Sequence, residues 1–398
     1  MEKNMIKYFV LLGSIASLVL STSARTLTVY GQATGKVTVN LSGYQTGRSP
    51  SSRTFLSVLK ADLNRSGYLH VTSSKAAINV RGSCVANSTT IQATVQVYNA
   101  ATRKHLLGKK YTQSAKKTRA LAHKVADEIL FAVTGKKGMA SGKIAMVSNR
   151  TKHKELYICD IDGKNIRQIT KDRSIVVGPR WAPDGKSIVY TSYKQGYPNV
   201  FITGKAKPIV HYGGLNTGGA ISPNGHYMAV ILSASGNPEL YVISLRTKAV
   251  KRMTFTRKGN EASPCWSPDG SQIAFVSDTS GSPQIYVISS SGGRAHRISK
   301  GGSENVAPDW GKNGIVYSTR RGGKYKIAIV DPVRKTLKIL QTDWADYEDP
   351  SWAPDDRHIV CSRTLKYHSS IYLLDTVKDS PVPLVRASGN WFSPACSP

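Results

Sequence analysis

The sequence predicts an all-β six-bladed β-propeller preceded by a small α/β domain. One phrase, Pro-x-Trp-Ser/Ala-Pro-Asp/Asn-Gly, recurs in six approximate copies, and its third residue, here called the Trp position, falls at 181, 221, 266, 310, 352 and 396. The steps between these positions are 40, 45, 44, 42 and 44 residues, which is the repeat length of a four-stranded propeller blade. Two apolar strand patterns recur six times in step with the phrase.

The phrase itself predicts scaffold. Its clearest copies lie at 179–185 and 264–270, and a third at 350–355 has Asp356 where Gly is expected. Ile221 and Cys396 replace the Trp in two copies. The Asp-Gly pairs are typical of turns, because Gly adopts positive φ without strain.

Residues 1–24 are predicted to be a signal peptide. Lys3 and Lys7 precede an apolar stretch from Phe9 to Leu20, and small residues ending at Ala24 offer a cleavage site. The apolar stretch is too short to span a bilayer comfortably. We therefore expect an exported, soluble, periplasmic protein cleaved near Ala24.

Residues 25–135 are predicted to form the small α/β domain. Alternating apolar residues indicate strands at 26–30, 36–41, 68–72, 78–85, 90–98 and 106–113, with a loop running to Arg53. Helical spacing of Phe55, Leu59 and Leu63 predicts one helix, and a second is predicted over 117–133 with Gly135 as its cap. Residues 136–142 are the expected linker.

Residues 143–398 are predicted to be the propeller. The second strand of each unit begins near 144, 188, 228, 273, 315 and 359, and the third near 156, 200, 240, 285, 327 and 371. The first unit lacks an inner strand, whereas a spare inner strand ends at Cys396. Pairing that last strand with the first unit closes the ring and removes an exposed edge.

The formal net charge is +31, which favours contact with acidic surfaces, anionic lipid or nucleic acid. Residues 25–138 alone hold 18 Lys or Arg against three acidic residues. Two interpretations stay open here, ordinary solvated faces and a docking surface for an acidic partner or a membrane. The five cysteines have no metal-ligand spacing, so we expect buried free thiols, although one disulfide is conceivable.

The sequence contains no motif of a known enzyme class. A Gly-x-Ser-x-Gly elbow, an HExxH pair, a Gly-rich phosphate loop and a Cys/His constellation are all absent from it. We therefore predict no catalytic residues, no metal ligands and no cofactor.

Propellers commonly bind ligands at one mouth of the central channel. The sixth residue before each Trp position is Ile175, Leu215, Asn260, Glu304, Asp346 or Asn390, and the fifth is Val176, Asn216, Glu261, Asn305, Tyr347 or Trp391. Polar side chains on five of six blades predict a binding ring at this mouth. Basic residues in neighbouring loops suit an extended peptide of mixed charge, with acids inside the ring and bases outside.

The chain resembles the TolB family of Tol-Pal propeller proteins. The resemblance rests on the signal peptide, the small domain, residues 61–67 and 130–138, and above all the blade motif at 266–286. It implies a non-catalytic, monomeric periplasmic adaptor that supports outer-membrane integrity and constriction at division. It also implies that a peptidoglycan-associated lipoprotein binds at the channel mouth and that inner-membrane Tol proteins bind the amino-terminal domain.

By position, the resemblance places partner contacts at Leu215, Asn216, Asn260, Glu261 and Ala262. The ring argument adds Glu304, Asn305 and Asp346. Membrane association is expected only through partners, and no nucleic acid is expected.

Two other classes stay open. A propeller followed by an α/β hydrolase would be a peptidase, but the sequence ends at the ring. A basic propeller could instead bind nucleic acid or anionic lipid, which would require basic residues interleaved with exposed aromatics along one face and a steep salt dependence.

Overall fold

The computed structural model describes residues 35–340, 342–377 and 380–398. The predicted signal peptide at 1–24 and the predicted strand at 26–30 lie outside these residues. Within the described part of the chain, no helix is both long enough and apolar enough to cross a membrane.

A six-stranded sheet covered by two helices forms the small α/β unit. Its elements are β1 (Val37–Asn40), β2 (Tyr44–Thr46), α1 (Pro50–Arg65), β3 (Leu69–Thr72), β4 (Ile78–Ala86), β5 (Thr90–Asn99), β6 (His105–Ser114), a 3₁₀ turn (Ala115–Lys117) and α2 (Thr118–Thr134). The strand order is β3-β1-β4-β5-β6, with β2 beside β4. The division of the chain into domains stays a prediction, but this unit has its own hydrophobic core.

Local capping sets the ends of both helices. The Ser49 hydroxyl accepts a hydrogen bond from the amide of Ser52, and Pro50 occupies the first turn of α1, where its missing N–H costs nothing. The predicted loop to Arg53 was therefore too long, because this cap starts the helix earlier and β2 lies within the loop. Gly135 ends α2 at φ 69°, as predicted.

The remaining strands form six sheets arranged as blades. Blade one contains β7 (Lys143–Ser148), β8 (Glu155–Asp160), β9 (Arg167–Gln168) and the last strand, β29 (Trp391–Cys396), and blade two contains β10 (Val176–Trp181), β11 (Ile188–Ser192) and β12 (Asn199–Ile202). Blade three contains β13 (Asn216–Ile221), β14 (Tyr227–Leu232), β15 (Glu239–Ser244) and β16 (Val250–Arg252), and blade four contains β17 (Glu261–Trp266), β18 (Gln272–Ser277), β19 (Gln284–Ser289) and β20 (His296–Arg297). Blade five contains β21 (Asn305–Gly311), β22 (Gly314–Arg321), β23 (Lys324–Val330) and β24 (Leu337–Ile339), and blade six contains β25 (Asp346–Trp352), β26 (His358–Leu365), β27 (His368–Asp375) and β28 (Val382–Pro383). In blade two a single bridge between Val200 and Val210 replaces the outer strand.

The last strand closes the ring. Strand β29 pairs antiparallel with β7, bringing Trp391 opposite Ser148 and Cys396 opposite Ile144. Blade one therefore takes its inner strand from the far end of the described chain. The predicted six-bladed propeller after a small α/β unit is confirmed.

The repeated Trp residues join neighbouring blades. The indole N–H of Trp181 donates to the carbonyl of Ala395 at 3.0 Å, and that of Trp266 donates to the carbonyl of Ala220 at 2.9 Å. Each bond crosses from one blade to the preceding one, so the aromatic residues are scaffold, as the phrase predicts. All five cysteines are free and four are buried, as expected.

Each inner strand contains a bulge three residues before its Trp position. The strand register shifts there in all six blades. The residue at the bulge has positive φ, whether or not it is glycine, and these residues are Gly178, Gly218, Ser263, Ala307, Asp349 and Ser393. In five blades proline follows, which has no N–H to lose from the strand ladder. The bulge increases the twist and re-aims the side chains that line the channel.

Candidate functional site at the channel mouth

We define the mouth face as the end of the propeller formed by two sets of loops. One set joins the outer region of a blade to the next inner strand, at 169–175, 211–215, 253–260, 298–304, 342–345 and 384–390. The other joins second to third strands, at 149–154, 193–198, 233–238, 278–283, 322–323 and 366–367. The Asp-Gly turns lie at the opposite face.

Three of the predicted partner-binding residues lie at the surface of this face and are held by neighbours. The carboxylate of Glu304 accepts from Arg320 at 2.8 Å and from the Tyr325 hydroxyl. Asp346 pairs with Lys324 at 2.9 Å. The Asn260 side chain donates to Asp278 at 3.0 Å. These contacts hold the three polar groups in place while they remain exposed or half-buried.

The fifth residue before each Trp position is buried in all six blades. Adjacent residues on a strand point to opposite sides, so the fifth and sixth positions cannot both face the mouth. Asn216, Glu261 and Asn305 therefore lie between blades, which corrects the expectation that they ring the mouth with the exposed residues. Leu215 and Ala262 are half-buried and pack against the blade cores. A partner-binding role for all these residues stays a prediction.

Two of the buried residues are amides that fasten the loops of the mouth face. Asn216 donates to the carbonyl of Tyr212 at 2.7 Å and accepts from the amide of Tyr212 at 2.8 Å. Asn305 donates to Gln284 at 2.7 Å and to the carbonyl of Gly301 at 2.9 Å. Asn216 thus both donates and accepts, whereas the Oδ1 of Asn305 has no hydrogen-bond partner in the described part of the chain. Because an amide carries several polar atoms, each side chain satisfies more than one neighbouring group.

Between blades three and four, two carboxyl groups lie where other blades have these amides. Glu239 and Glu261 are both buried, and the Thr256 hydroxyl contacts both. Burial and the nearby charge of Glu239 outweigh a hydrogen bond from Ser277 and raise the pKa of Glu261 to about 7. Burial opposes ionisation of Glu239, but hydrogen bonds from Thr254 and Arg252 outweigh it and keep the pKa of Glu239 low. A protonated Glu261 can donate, as the amides do.

Sequence reasoning missed Glu348 on the inner strand of blade six. The fourth residue before the Trp position is half-buried in every blade, and the other blades have Val177, Thr217, Ala262, Val306 and Phe392 there. Burial, with the charges of Asp349 and Asp346, raises the pKa of Glu348 to about 7. The sequence did contain a signal for Glu348, because no other blade has an acidic residue at this position of the repeat.

An ion pair spans the channel. Arg180 of blade two contacts Asp309 of blade five at 2.9 Å and donates to the carbonyl of Pro308 at 2.8 Å. Asp309 also accepts from the amide of Trp352 at 2.8 Å. On the side of the Asp-Gly turns, a cavity of about 350 Å³ is lined by these residues and by four Trp side chains.

Exposed aromatic side chains are concentrated on the mouth face. Of the strongly exposed aromatics in the described part of the propeller, five lie there (Tyr197, Tyr212, Phe255, Trp344 and Tyr367), and one, Tyr227, lies at the opposite face. Trp344 is 77% exposed and Tyr367 is 97% exposed. Aromatic residues are enriched in protein interfaces, and in this protein their exposed side chains favour one face of the propeller.

The rim of this face is basic. Several of its acids are matched by neighbouring cations, as in Asp172 with Lys194 and Asp343 with Arg363. Further Lys and Arg side chains are exposed in the same loops, namely Lys152, Lys154, Lys171, Arg173, Arg257, Lys258 and Lys366. The positive excess favours approach of an acidic partner.

Comparison with known proteins gives the family. The family model described as the TolB beta propeller domain matches residues 131–398, which is more than half of the chain. The chain belongs to the TolB β-propeller family. The resemblance drawn from the sequence is therefore confirmed.

Individual members of the TolB family show how far the likeness extends. A protein TolB homolog of Chlorobium chlorochromatii is 34% identical over 179 residues, which are 43% of this chain and 39% of the relative. A Tol-Pal system protein TolB of Desulfosudis oleivorans is 30% identical over 163 residues, which are 40% of this chain and 37% of the relative. The matched part thus spans about two fifths of these relatives. The crystal structure of TolB from Acinetobacter baumannii has a TM-score of 0.79 at 26% identity, covering 91% of this chain and 97% of that one.

Proposed function

We propose that this protein is the TolB component of a Tol-Pal envelope system and acts as a non-catalytic periplasmic adaptor. The family match and the names of the relatives support this role. The protein would reach the periplasm through the predicted signal peptide at 1–24. There it would support outer-membrane integrity and constriction at division.

The mouth face is the proposed docking surface, and the concentration of exposed aromatics carries this assignment. Five aromatic side chains on one face supply rigid apolar contact area at low entropic cost. Glu304, Asp346 and Asn260 add oriented polar groups to the same face. The basic rim would attract an acidic partner before the apolar contacts form.

The partner we assign to this face is a peptidoglycan-associated lipoprotein. The small α/β unit would contact inner-membrane Tol proteins. The protein would then connect the two membranes through two separate surfaces, and its own association with membranes would be indirect.

Calorimetric titration of the purified full chain with the soluble domain of the lipoprotein from the same organism tests this role. We expect saturable binding by the unaltered protein. We expect weaker binding by a Glu304→Ala/Asp346→Ala double variant, because it loses the oriented carboxylates at the mouth. Unchanged affinity in the double variant would remove the mouth acids from the interface, and no binding by the unaltered protein would refute the partner.

A second candidate is binding to anionic lipid or nucleic acid, which the net charge of +31 favours. Such binding would involve no protein partner and would weaken steeply with salt. Titration with anionic vesicles and with single-stranded DNA at two salt concentrations separates it from the adaptor role. We expect no tight, saturable binding to either probe at physiological salt.

A further inference from the structure

A histidine and two aspartates meet where helix α2 contacts blade one. His123 lies on α2, Asp160 at the end of β8, and Asp162 in the turn that follows. Each offers one ligand atom, and these atoms all lie within 4.8 Å of one another. Sequence analysis predicts no metal ligands because these residues come from separate segments and share no motif.

Contacts at Nδ1 fix the orientation of the His123 ring. Its Nδ1 lies 2.5 Å from a carboxylate oxygen of Asp62, and Arg65 holds the other oxygen of that carboxylate at 2.7 Å. A carboxylate accepts, so Nδ1 carries the hydrogen, and in the neutral ring Nε2 presents its lone pair. A carboxylate behind the ring in this way is the usual outer partner of a metal-binding histidine.

The other ring nitrogen of His123, Nε2, has no hydrogen-bond partner in the described part of the chain. His123 is 2% exposed, and its Nε2 is buried without such a partner. Nε2 faces a carboxylate oxygen of Asp160 at 3.9 Å, which is too far for a hydrogen bond. A buried lone pair facing a carboxylate is unfavourable unless a proton or a metal ion lies between them.

The spacing fits one ion between these groups. Zinc binds histidine nitrogen and carboxylate oxygen at about 2.0 to 2.2 Å, so two such ligands on one ion lie up to about 4.2 Å apart. The 3.9 Å between Nε2 of His123 and Asp160 falls within that limit, and because all three ligand atoms lie within 4.8 Å of one another, small side-chain shifts bring them onto one ion. A mixed nitrogen and oxygen set suits zinc and similar transition metals, whereas calcium and magnesium prefer oxygen alone.

We propose that His123, Asp160 and Asp162 form a binding site for a divalent ion of the zinc class, which joins the small α/β unit to blade one. Asp62 holds the histidine in the binding orientation without touching the ion. The site lies apart from the mouth face, so it does not depend on the proposed adaptor role.

Two side-chain cations occupy the carboxylates of this site. Arg119 contacts Asp162, and Lys143 contacts Asp160 at 2.9 Å. Both cations neutralise the carboxylates when no metal ion is bound. A metal ion that enters the site therefore competes with these cations, chiefly with Arg119. Replacing Arg119 with a neutral residue therefore strengthens metal binding, whereas a merely structural cluster would lose stability and gain no affinity.

Calorimetric titration of the full chain with Zn²⁺ tests the site, with thermal unfolding as a second readout. We expect one ion per chain and a rise in melting temperature, because an ion that binds only the folded protein stabilises it. Asp162→Asn, a change in a turn, should abolish binding. Asp62→Asn should weaken it roughly 10- to 100-fold, and Arg119→Gln should tighten it.

The control is Asp331→Asn, which removes an aspartate from an exposed turn of blade five. It should bind Zn²⁺ like the unaltered protein. Absence of saturable binding by the unaltered protein would overturn the proposal. Equal binding by Asp162→Asn would overturn it as well, and Co²⁺ spectra with thiolate charge-transfer bands would then place the ion on a cysteine.

Discussion

Replacement of Glu261 by Gln should remove part of the pH dependence of the protein's stability. Glu261 is buried beside Glu239, in a place where other blades have a hydrogen-bonding amide. The pKa of Glu261 is raised from 4.5 to about 7, so the folded state binds a proton that the unfolded state releases. This contribution to stability is fully present below pH 4.5 and is lost as the pH rises through about 7.

The size of the pKa shift of Glu261 sets the expected change in the free energy of unfolding. One pKa unit corresponds to about 1.4 kcal/mol, so a rise from 4.5 to about 7 sets a ceiling of roughly 3 kcal/mol. Solvent near the mouth screens part of this free energy, so we expect a contribution of about 1 to 3 kcal/mol. For a domain the size of the propeller, each kcal/mol moves the melting temperature by roughly 2 to 4 °C.

Thermal unfolding of both proteins between pH 4 and 8.5 measures this effect. Below pH 4.5 the two melting temperatures should lie close together, because the acid is then protonated in the folded and in the unfolded state, and Gln imitates the neutral acid. Above pH 7.5 the unaltered protein should melt several degrees lower than Glu261→Gln. Glu348→Gln is a matched variant, because the pKa of Glu348 is also raised to about 7, and each variant should remove a separate part of the slope.

Parallel melting curves for Glu261→Gln and the unaltered protein across this range would refute the reasoning. The pKa of Glu261 would then lie close to its ordinary value, and a cation beside it would have to offset the burial of its carboxylate. A Glu261→Gln variant that melts lower at every pH would instead show a required carboxylate.

Two further predictions concern the ring itself. Deletion of residues 386–398 removes β29 and with it the buried Trp391. We expect a drop of more than about 10 °C in melting temperature, since each buried backbone group left unpaired costs about 1 to 3 kcal/mol; full thermal stability would refute closure by this strand. Replacement of Arg180 by Met breaks the ion pair across the channel and leaves Asp309 without its cation. We expect a loss of about 1 to 3 kcal/mol, measured by denaturant unfolding, and an unchanged midpoint would show that the pair contributes nothing.

Periodicity made most of the fold predictable from the sequence. The repeat phrase located every blade, and the count of inner strands predicted that the last one would pair with β7. The outer strand of blade two could not be predicted, because its replacement by a single bridge depends on how residues 203–210 pack. The start of α1 was misplaced because a local cap at Ser49 outweighed a composition typical of loops.

The candidate site was predictable only in part. Position within the repeat identified Glu304 and Asp346 at the mouth, but it could not separate them from Asn305, which lies one residue further along the strand and between blades. The exposed aromatics went unnoticed, since they lie in loops of unequal length that no repeat aligns. The contact between Arg180 and Asp309 joins residues 129 apart in sequence, and no local pattern indicates it.

Comparison of aromatic variants on the two faces tests the central claim most directly. Trp344→Ala/Tyr367→Ala removes two exposed side chains from the mouth face, and Tyr227→Ala is the matched change at the opposite face. Calorimetric titration with the peptidoglycan-associated lipoprotein should show affinity weakened roughly tenfold or more in the mouth variant and unchanged in Tyr227→Ala. Equal affinity in all three proteins, or a loss confined to Tyr227→Ala, would contradict the assignment of the mouth face as the docking surface.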